Sequence, residues 1–412
     1  MTDPVALFLA AVARSDRMFW LDGGGSRAWS GRRSIIGVLG TEDVSLSFDA
    51  GARQVLRHTG AGSDVVGSDV FEVLAEEIAR DDGDPDVHWV GYLGYACRTD
   101  LPGRAGRDVP DAVWMRVRSP LFVDHEADPV ARPTTGAGTT EPPASYVAAF
   151  EQVQEHLHAG NSYEVNLTYR DQVYSDVDPV AAYLRLRSVN PAPYAGFLRH
   201  RDVHLLSSSP ERFATVDRDR GLVARPIKGT TPRGATPEED ERLRRHLSTD
   251  PKLRAENLMI TDLLRNDLSM VCAPGTVEVP GLMEVESYAS VHQLVTTVRG
   301  RLRDEVSTID ALRSLFPAGS MTGAPKRMTM QIIDEVEATP RGVYAGAFGW
   351  VSADGRADLG VVIRSLVGTP RGTGWAYTFG TGGGITVRSD VREEWAETIW
   401  KAERLRGVLR KG

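Results

Sequence analysis

Strand-like segments follow one another in Val343-Tyr-Ala-Gly-Ala-Phe-Gly-Trp-Val351, Leu359-Gly-Val-Val-Ile-Arg-Ser-Leu-Val367 and Trp375-Ala-Tyr-Thr-Phe379. Each segment is short, rich in β-branched or aromatic residues, and bounded by Gly, Pro, Asp or Ser, which is typical of β-strands. No helix-length segment separates them. This stretch therefore predicts neighbouring strands rather than strands that alternate with helices.

The rest of the chain mixes the two kinds of element. Strand-like segments occur at 163–169, 203–207, 222–226 and 291–298, and helical patterns at 237–246, 253–265 and 393–409. Another helix is expected to begin with Ser145 as its cap, because apolar residues recur at helical spacing from Tyr146 to Leu157. The mixed order predicts an α+β fold with largely antiparallel sheets.

Composition excludes several classes of protein. The 412 residues carry 48 basic and 56 acidic side chains, a net charge of -8, without a long basic run, which disfavours a nucleic-acid partner. Cys97 and Cys272 lie far apart, so neither a disulfide framework nor a zinc site is indicated. The apolar start at 6–13 is too short to span a membrane and follows no basic residue. We expect a cytoplasmic protein that does not enter a membrane.

A Pro-, Gly- and Thr-rich break at 133–145 predicts a domain boundary. It separates an N-terminal lobe, 1–132, from a larger region, 146–412.

Lysine is scarce in this chain. The five lysines are Lys228, Lys252, Lys326, Lys401 and Lys411, and all other cationic side chains apart from histidine are arginine. Arginine stays charged in proteins, whereas a buried lysine can become a neutral amine. Each lysine therefore raises the question whether arginine would fail at its position, although codon bias is the simpler explanation and suffices for Lys411.

Three glutamates are candidate metal ligands. Glu394 and Glu397 are three residues apart and share one helix face, and Glu256 stands among apolar neighbours. Convergent carboxylates with room for water suit Mg²⁺. The competing interpretation is a pair of solvated helix faces, with Lys401 pairing Glu397 one turn away.

Two glycine-containing segments are candidate anion sites. Gly382-Gly383-Gly384-Ile385 follows a strand, and consecutive glycines let backbone N–H groups converge on an anion. Thr322-Gly-Ala-Pro-Lys326 predicts a helix start with Thr322 as the cap and free N–H groups. A flexible turn and an ordinary capped helix explain the same patterns.

Three other residues stand out by context. Arg364 lies inside an apolar strand, so a substrate carboxylate or an internal ion pair must compensate its charge. Lys228 ends a strand before a Gly/Pro/Arg loop and is either a positioned amine or an exposed lysine. His292 lies on an apolar strand face, where a hydrogen-bonded core role is the usual alternative to catalysis.

Several strings together resemble the chorismate-utilising enzymes, a family that includes anthranilate synthase component I, aminodeoxychorismate synthase component I, and the isochorismate and salicylate synthases. The resemblance covers nearly all of the chain after Ser145. The strings are Gly160-Asn-Ser-Tyr-Glu-Val-Asn-Leu-Thr168, Ser207-Ser-Ser-Pro-Glu-Arg-Phe213, Arg225-Pro-Ile-Lys-Gly-Thr230, Arg254-Ala-Glu-Asn-Leu-Met-Ile-Thr-Asp-Leu-Leu-Arg-Asn-Asp267, Val291-His-Gln-Leu-Val295, Gly319-Ser-Met-Thr-Gly-Ala-Pro-Lys326 and Gly382-Gly-Gly-Ile385, followed by the Glu394/Glu397 helix.

The resemblance implies a fold and a set of roles. The family fold has two facing antiparallel sheets with helices outside and the site between them. Chorismate would be the substrate and Mg²⁺ the cofactor. The implied metal ligands are Glu256 and Glu397 directly and Glu394 through water; the implied carboxylate clamp is Tyr344, Arg364 and the amides of Gly383 and Gly384; the implied catalytic residues are Glu211 as general acid, Lys228 and His292, with Thr322 near the substrate.

The branch within the family depends on Lys228. Anthranilate synthases usually carry Ala in this string, whereas aminodeoxychorismate synthases carry Lys. A lysine amine can attack C2 of chorismate while Glu211 protonates the leaving C4 hydroxyl, after which ammonia adds at C4. The resemblance therefore favours amination at C4, with ammonia delivered by a separate glutamine amidotransferase subunit. Anthranilate synthesis, a water-using isochorismate-type synthase and a non-catalytic chorismate- or tryptophan-binding regulator are the alternatives.

Two departures from the family pattern have consequences. Many relatives have an acidic residue where this chain has Leu253, which implies a weaker metal site. The first 130 residues resemble the family less well. Trp20 and Ser26 are the candidate remnant of a tryptophan pocket, although the usual Leu-Glu-Ser string is absent.

Overall fold

The computed structural model describes residues 3–23, 33–125, 141–288 and 291–410. Within these ranges the strands form two large antiparallel sheets with helices packed outside them, which confirms the predicted α+β class. None of the helices in these ranges combines the length and apolarity that a membrane crossing requires.

The smaller sheet contains nine strands in the described residues. In spatial order they are β17 (Gly323–Ala324), β9 (Glu164–Ser175), β21 (Gly374–Ile385), β20 (Ser365–Arg371), β11 (Val203–Ser209), β10 (Tyr194–His200), β1 (Arg17–Asp22), β2 (Arg33–Val38) and β8 (Leu121–Asp124). The long pairing of β9 with β21 runs from Ser175 to Val165 and carries the glycine segment of the candidate site.

The larger sheet contains twelve strands in the same ranges. In spatial order they are β14 (Ile227–Pro232), β16 (Val291–Arg301), β13 (Gly221–Arg225), β12 (Arg212–Val216), β19 (Ala357–Val361), β18 (Ala347–Ser352), β6 (Val87–Leu93), β7 (Ala112–Arg118), β3 (Ser45–Asp49), β4 (Gln54–Thr59) and β5 (Gly62–Gly67), with β15 (Glu278–Ser287) also paired to β16. Strands from both sides of the predicted 133–145 boundary belong to each sheet, and the domain division itself stays a prediction.

Several helices begin where an aspartate precedes a proline. Asp3, Asp178 and Asp250 each accept a hydrogen bond from a backbone N–H of the first turn, and proline occupies the next position without losing an intrahelical bond. The described helices are α1 (Pro4–Arg14), α2 (Val70–Ala79), α3 (Ala144–His158), α4 (Pro179–Val189), α5 (Pro237–Thr249), α6 (Pro251–Ser269), α7 (Thr308–Leu315), α8 (Gly319–Thr322), α9 (Lys326–Val336) and α10 (Val391–Val408).

The core has an inner layer between the sheets and outer layers under the helices. Successive residues of a strand point to opposite faces, so Phe19 and Leu205 pack in the inner layer while Trp20 and Leu206 pack on the outer face. Helices α1, α4 and α10 cover that outer face of the smaller sheet. Helices α2, α6 and α7 cover the larger sheet. These layers fix α6 and α10, which carry the candidate metal ligands.

The predicted strand at 359–367 is wrong in one respect that bears on the site. The chain leaves the larger sheet after β19 and enters the smaller sheet at β20, and Arg364 lies between the two strands with φ +49°. This left-handed conformation is unusual for a residue with a side chain. Arg364 is therefore not inside a strand but at the point where the chain crosses between the sheets.

Two predicted helix caps are also wrong. Helix α3 begins at Ala144 after Pro143, so Ser145 lies inside its first turn. Helix α9 begins at Lys326 after Pro325, whereas Thr322 ends the short helix α8. A capping hydroxyl needs an extended backbone just before the first turn. In both cases proline occupies that position, since it prefers extended backbone there.

Candidate active site

A cavity of about 610 Å³ opens where β14 and β21 approach α6 and α10. It collects side chains from distant parts of the sequence. The predicted site residues that line it are Glu211, Lys228, Glu256, Tyr344, Arg364, Gly383, Gly384, Glu394 and Glu397. The convergence of so many separately predicted residues makes this cavity the candidate active site.

Lysine–glutamate pairs dominate one part of the cavity. Lys252 Nζ lies 2.8 Å from Glu394 Oε1, and Lys401 Nζ lies 2.7 Å from Glu397 Oε1. Three of the five lysines, Lys228, Lys252 and Lys401, line the cavity. The scarcity of lysine elsewhere thus marks this site, and the predicted Lys401–Glu397 pair is confirmed.

Lys228 lies on β14 and is 8% exposed. Its ammonium forms a buried ion pair with Glu164, at the start of β9. Burial lowers the pKa of Lys228, but the charges of Glu164, Glu256 and Glu211 outweigh burial, and the net pKa is raised. The amine is therefore held as an ammonium in this arrangement.

Glu211 follows β11 and is 5% exposed. Burial raises its pKa to about 7, against the opposing effects of a hydrogen bond from Ser320 and the charges of Lys228 and Arg364. Ser320 Oγ donates to Glu211 Oε1 at 2.6 Å and so fixes the carboxyl group. A carboxyl group with this pKa is partly protonated near neutral pH and can donate a proton, which is what a general acid requires.

Glu256 is a buried carboxylate, 7% exposed, that makes no hydrogen bond or ion pair to the residues that the structure describes. Burial raises its pKa to about 8, opposed by Lys228 and reinforced by Glu164 and Glu394. A buried carboxylate without a partner is costly unless a cation joins it. Together with Glu394 and Glu397, Glu256 supplies the hard oxygen ligands that Mg²⁺ prefers.

The side chains of Glu256, Glu394 and Glu397 do not converge on one point in this structure. Among the described residues no group of three or more His, Cys, Asp or Glu side chains is close enough to hold a metal ion. Lys252 and Lys401 hold two of the carboxylates instead. The donor set therefore fits Mg²⁺ in its chemistry, and binding would exchange lysine contacts for metal contacts.

The cavity also contains groups that suit an anion. The Arg364 guanidinium lies 5.8 Å from the centre of the Trp400 ring, and Arg170 lies 5.4 Å from the centre of the Tyr344 ring. A Cβ at Gly383 would lie 3.1 Å from Glu394 Oε2, so glycine keeps the strand close to the helix. Arginine, a tyrosine and glycine backbone thus line the cavity.

A buried ion cluster contacts two of the segments that line the cavity. Arg341 pairs with Glu337 at 2.7 Å and donates to the carbonyl oxygens of Met321, at 2.6 Å, and Asn166, at 2.7 Å. Glu337 also binds Arg170 at 2.6 Å. Because Met321 and Asn166 line the cavity, the cluster fixes the position of two wall segments.

Some predicted site residues lie elsewhere. His292 is 1% exposed; its ring nitrogens bind Ser287 at 2.8 Å and Asp240 at 3.0 Å, and it is not among the lining residues. Its neighbour Gln293 lines the cavity instead, because adjacent strand residues point to opposite faces. This placement favours the hydrogen-bonded core role for His292, and its catalytic role stays a prediction.

Thr322 and Trp20 are also away from the cavity lining. The Thr322 hydroxyl donates to the carbonyls of Ala318 and Gly319 at its own short helix, and its assignment to the substrate stays a prediction. Trp20 is fully buried, and its indole N–H donates to Ser34 Oγ at 2.8 Å. Ser26 lies outside the described residues. The tryptophan pocket stays a prediction.

Sequence reasoning missed three functional side chains. Glu164 and Ser320 lay inside the quoted strings but looked like ordinary strand and loop residues. Lys252 carried a usable signal, because it is one of five lysines. No spacing rule connects Glu164 to Lys228 or Ser320 to Glu211, because those contacts form only when β9 and α8 pack against the cavity.

The sequence is similar to known proteins over most of its length. The family model described as chorismate binding enzyme matches residues 133–407. The chain is 38% identical to aminodeoxychorismate synthase of Streptomyces pristinaespiralis over 99% of its own length, and it spans 64% of that relative. It is 36% identical to aminodeoxychorismate synthase component 1 of Salmonella typhimurium, with 89% of this chain and 81% of the relative covered.

A solved structure is similar over almost the whole chain. Anthranilate synthase component I of Streptococcus pneumoniae superposes with a TM-score of 0.75 at 25% identity, covering 92% of this chain and 93% of the other. The predicted arrangement of two facing sheets with outer helices is confirmed by the described residues and by this likeness.

Proposed function

The chain belongs to the chorismate binding enzyme family, and from this premise we propose that it aminates chorismate at C4 to give 4-amino-4-deoxychorismate. The observation that carries the proposal is that an amine and a partly protonated carboxyl group line one cavity. Lys228 supplies an amine and Glu211 a carboxyl group with a pKa raised to about 7, and both line the cavity. The names of the two relatives support the same reaction.

Chorismate carries two carboxylates, and the cavity offers two ways to bind them. Arg364, Tyr344 and the backbone of Gly383 and Gly384 would bind one carboxylate, since arginine and free N–H groups are suited to this group. The other carboxylate would bind near Glu256, Glu394 and Glu397, the residues that would hold Mg²⁺. The bound substrate would thereby be held with its ring in the cavity that Lys228 and Glu211 line.

Glu256 and Glu397 would hold Mg²⁺ directly and Glu394 through water. Bound there, Mg²⁺ would supply Lewis-acid polarisation of the ring carboxylate, which makes C2 more electrophilic. Lys252 and Lys401 would lose their ion pairs with Glu394 and Glu397 when the cation binds.

The protein's own residues then carry the reaction. The Lys228 amine forms a bond to C2, the ring double bonds shift, and the C4–O bond breaks. Glu211 gives its proton to the departing hydroxyl, which leaves as water. Ammonia next forms a bond to C4 and the C2–N bond breaks, which frees Lys228. The enolpyruvyl ether stays intact throughout.

Ammonia requires a source. We propose that a separate glutamine amidotransferase subunit delivers it, as the designation component 1 of the Salmonella relative suggests. With excess ammonium the chain is expected to act without that partner.

The test is to incubate the purified chain with chorismate, Mg²⁺ and excess ammonium and to identify the product by mass spectrometry. We expect the mass of chorismate with one hydroxyl replaced by an amino group. Anthranilate with release of pyruvate would overturn the C4 assignment and make the chain an anthranilate synthase. Chorismate binding without turnover at any ammonium concentration would favour a non-catalytic binding protein.

A further inference from the structure

Glu164 is the carboxylate in contact with the amine that the proposed reaction uses. Its side chain is fully buried, and one of its oxygens, Oε1, binds Lys228 Nζ. The other oxygen, Oε2, has no hydrogen-bond partner among the described residues. A buried carboxylate with an unused oxygen has spare capacity for a proton.

The backbone around Glu164 holds this carboxylate in place. Glu164 pairs with Ala324 of β17, and Ser162 Oγ donates to its carbonyl at 2.9 Å. Across the strand pair, a Cβ at Gly384 would lie 2.3 Å from Glu164 Oε1 and 3.2 Å from Lys228 Nζ. Only glycine leaves space for the ion pair there, so the pair is built into the cavity wall.

The proposed reaction requires Lys228 to lose a proton. An ammonium has no lone pair, so it cannot form a bond to C2. Lys228 faces Glu164 from β9, Glu211 from the segment after β11 and Glu256 from α6, and these charges favour the ammonium. Lys228 is nearly buried, so transfer to solvent is hindered, and Glu164 is the acceptor in hydrogen-bond contact with it.

We infer that Glu164 is a further catalytic residue, which accepts the Lys228 proton before the amine bonds to C2 and returns it when the lysine is released. This inference rests on the proposed function. In the first transfer the Lys228 N–H bond breaks and the Glu164 carboxylate becomes a carboxylic acid. After ammonia has bonded to C4, the lysine leaves C2 with the electron pair of the C–N bond and takes the proton back from Glu164. The proton that Glu211 gave to the leaving water is restored to Glu211 by the new C4 ammonium. The sum is chorismate plus ammonia to aminodeoxychorismate plus water.

The test is Glu164→Gln, which preserves shape and a hydrogen-bond acceptor but cannot take a proton. We expect kcat to fall by about 10²–10⁴-fold, the range for loss of a general base, with KM for chorismate nearly unchanged. The rates of Glu164→Gln and of wild type are then compared at constant free ammonia. The rate of the variant divided by that of wild type should rise by about tenfold per pH unit in the alkaline range, because Lys228 of the variant must lose its proton to solvent. Glu164→Asp should restore part of the rate.

Asp267→Asn is the matched control. Asp267 forms the other buried carboxylate–lysine pair, with Lys326 at 2.7 Å, away from the cavity lining. This variant should lose stability, while its rate per folded molecule keeps the wild-type pH dependence.

The outcomes separate the inference from the function on which it rests. If wild type aminates chorismate and Glu164→Gln is folded with the same kcat and the same pH profile, Glu164 has only a structural role and the inference is wrong. If wild type gives no C4-aminated product, the proposed function itself fails, whatever the variant does. A folded Glu164→Gln protein that fails to bind chorismate in a titration without ammonium would also contradict the inference, since binding should be retained.

Discussion

Two buried lysine–carboxylate pairs differ in their surroundings more than in their chemistry. Lys326 donates to Asp267 at 2.7 Å and to the Leu315 carbonyl at 2.9 Å, and burial lowers its pKa against the single opposing carboxylate. Lys228 pairs with Glu164 but also faces a cavity and further glutamates, and its pKa is raised. The first pair ties α9 to α6. The second keeps a charged amine where a substrate can reach it.

The largest expected effect comes from replacing Lys228 with arginine. Lys228→Arg keeps the positive charge beside Glu164 but cannot supply a neutral nitrogen, because arginine is not deprotonated in proteins. We expect C4 amination to fall on the order of 10³-fold or more, as for loss of a nucleophile. The measurement is product formation followed by mass spectrometry. Lys326→Arg is the control, and retained amination in Lys228→Arg would exclude a nucleophilic role.

The free energy of unfolding should depend more on the Lys326–Asp267 pair than on the Lys228–Glu164 pair. Lys326→Met leaves Asp267 as an unpaired buried charge, which costs about 3–5 kcal/mol of unfolding free energy. Lys228→Met should cost less, because residue 228 lines the cavity, which water can enter when no substrate is bound. Urea unfolding of both variants measures the difference. Equal losses would mean that the cavity does not relieve the unpaired charge, and the contrast between the two pairs would then be lost.

The pH profile gives a smaller effect that concerns only the cavity that Lys228 lines, through Glu211. Glu211 must be protonated to act as the acid, and its pKa is raised to about 7. At constant free ammonia, kcat/KM for chorismate should therefore decrease by about tenfold per pH unit above this pKa. Glu211→Gln should have a low rate without this decrease. A wild-type rate that stays constant well above neutral pH would contradict the acid role of Glu211.

Much of the fold could be predicted because strand and helix patterns are local. The helices that carry Glu256 and Glu394 are predicted close to their observed bounds, and the strands around 343–379 are predicted in place but not at their ends. Arg364 was misplaced because its apolar neighbours continue on both sides, and sequence alone does not indicate that the chain crosses between sheets with φ +49° at this residue.

The site was predicted in part for a different reason. Glu211, Lys228 and Glu256 were identified by resemblance, and their convergence in one cavity required the folded sheets. Glu164 was missed because an acidic residue in an alternating strand usually faces water, whereas here β9 is covered by β17 and α9. The contact with Lys228 joins residues 64 positions apart, and no local pattern encodes it.

The shared sheets have a consequence for how this protein folds. The family model covers 133–407. However, β10 pairs with β1 and β18 pairs with β6, and the strands β1 and β6 belong to the first 125 residues. A fragment that begins at the boundary would expose β10 and β18 as long apolar edges, which readily pair with other chains. We therefore expect such a fragment to aggregate although it contains every residue assigned to the cavity. The residues that line the cavity thus occupy a shorter stretch of sequence than the unit that we expect to fold.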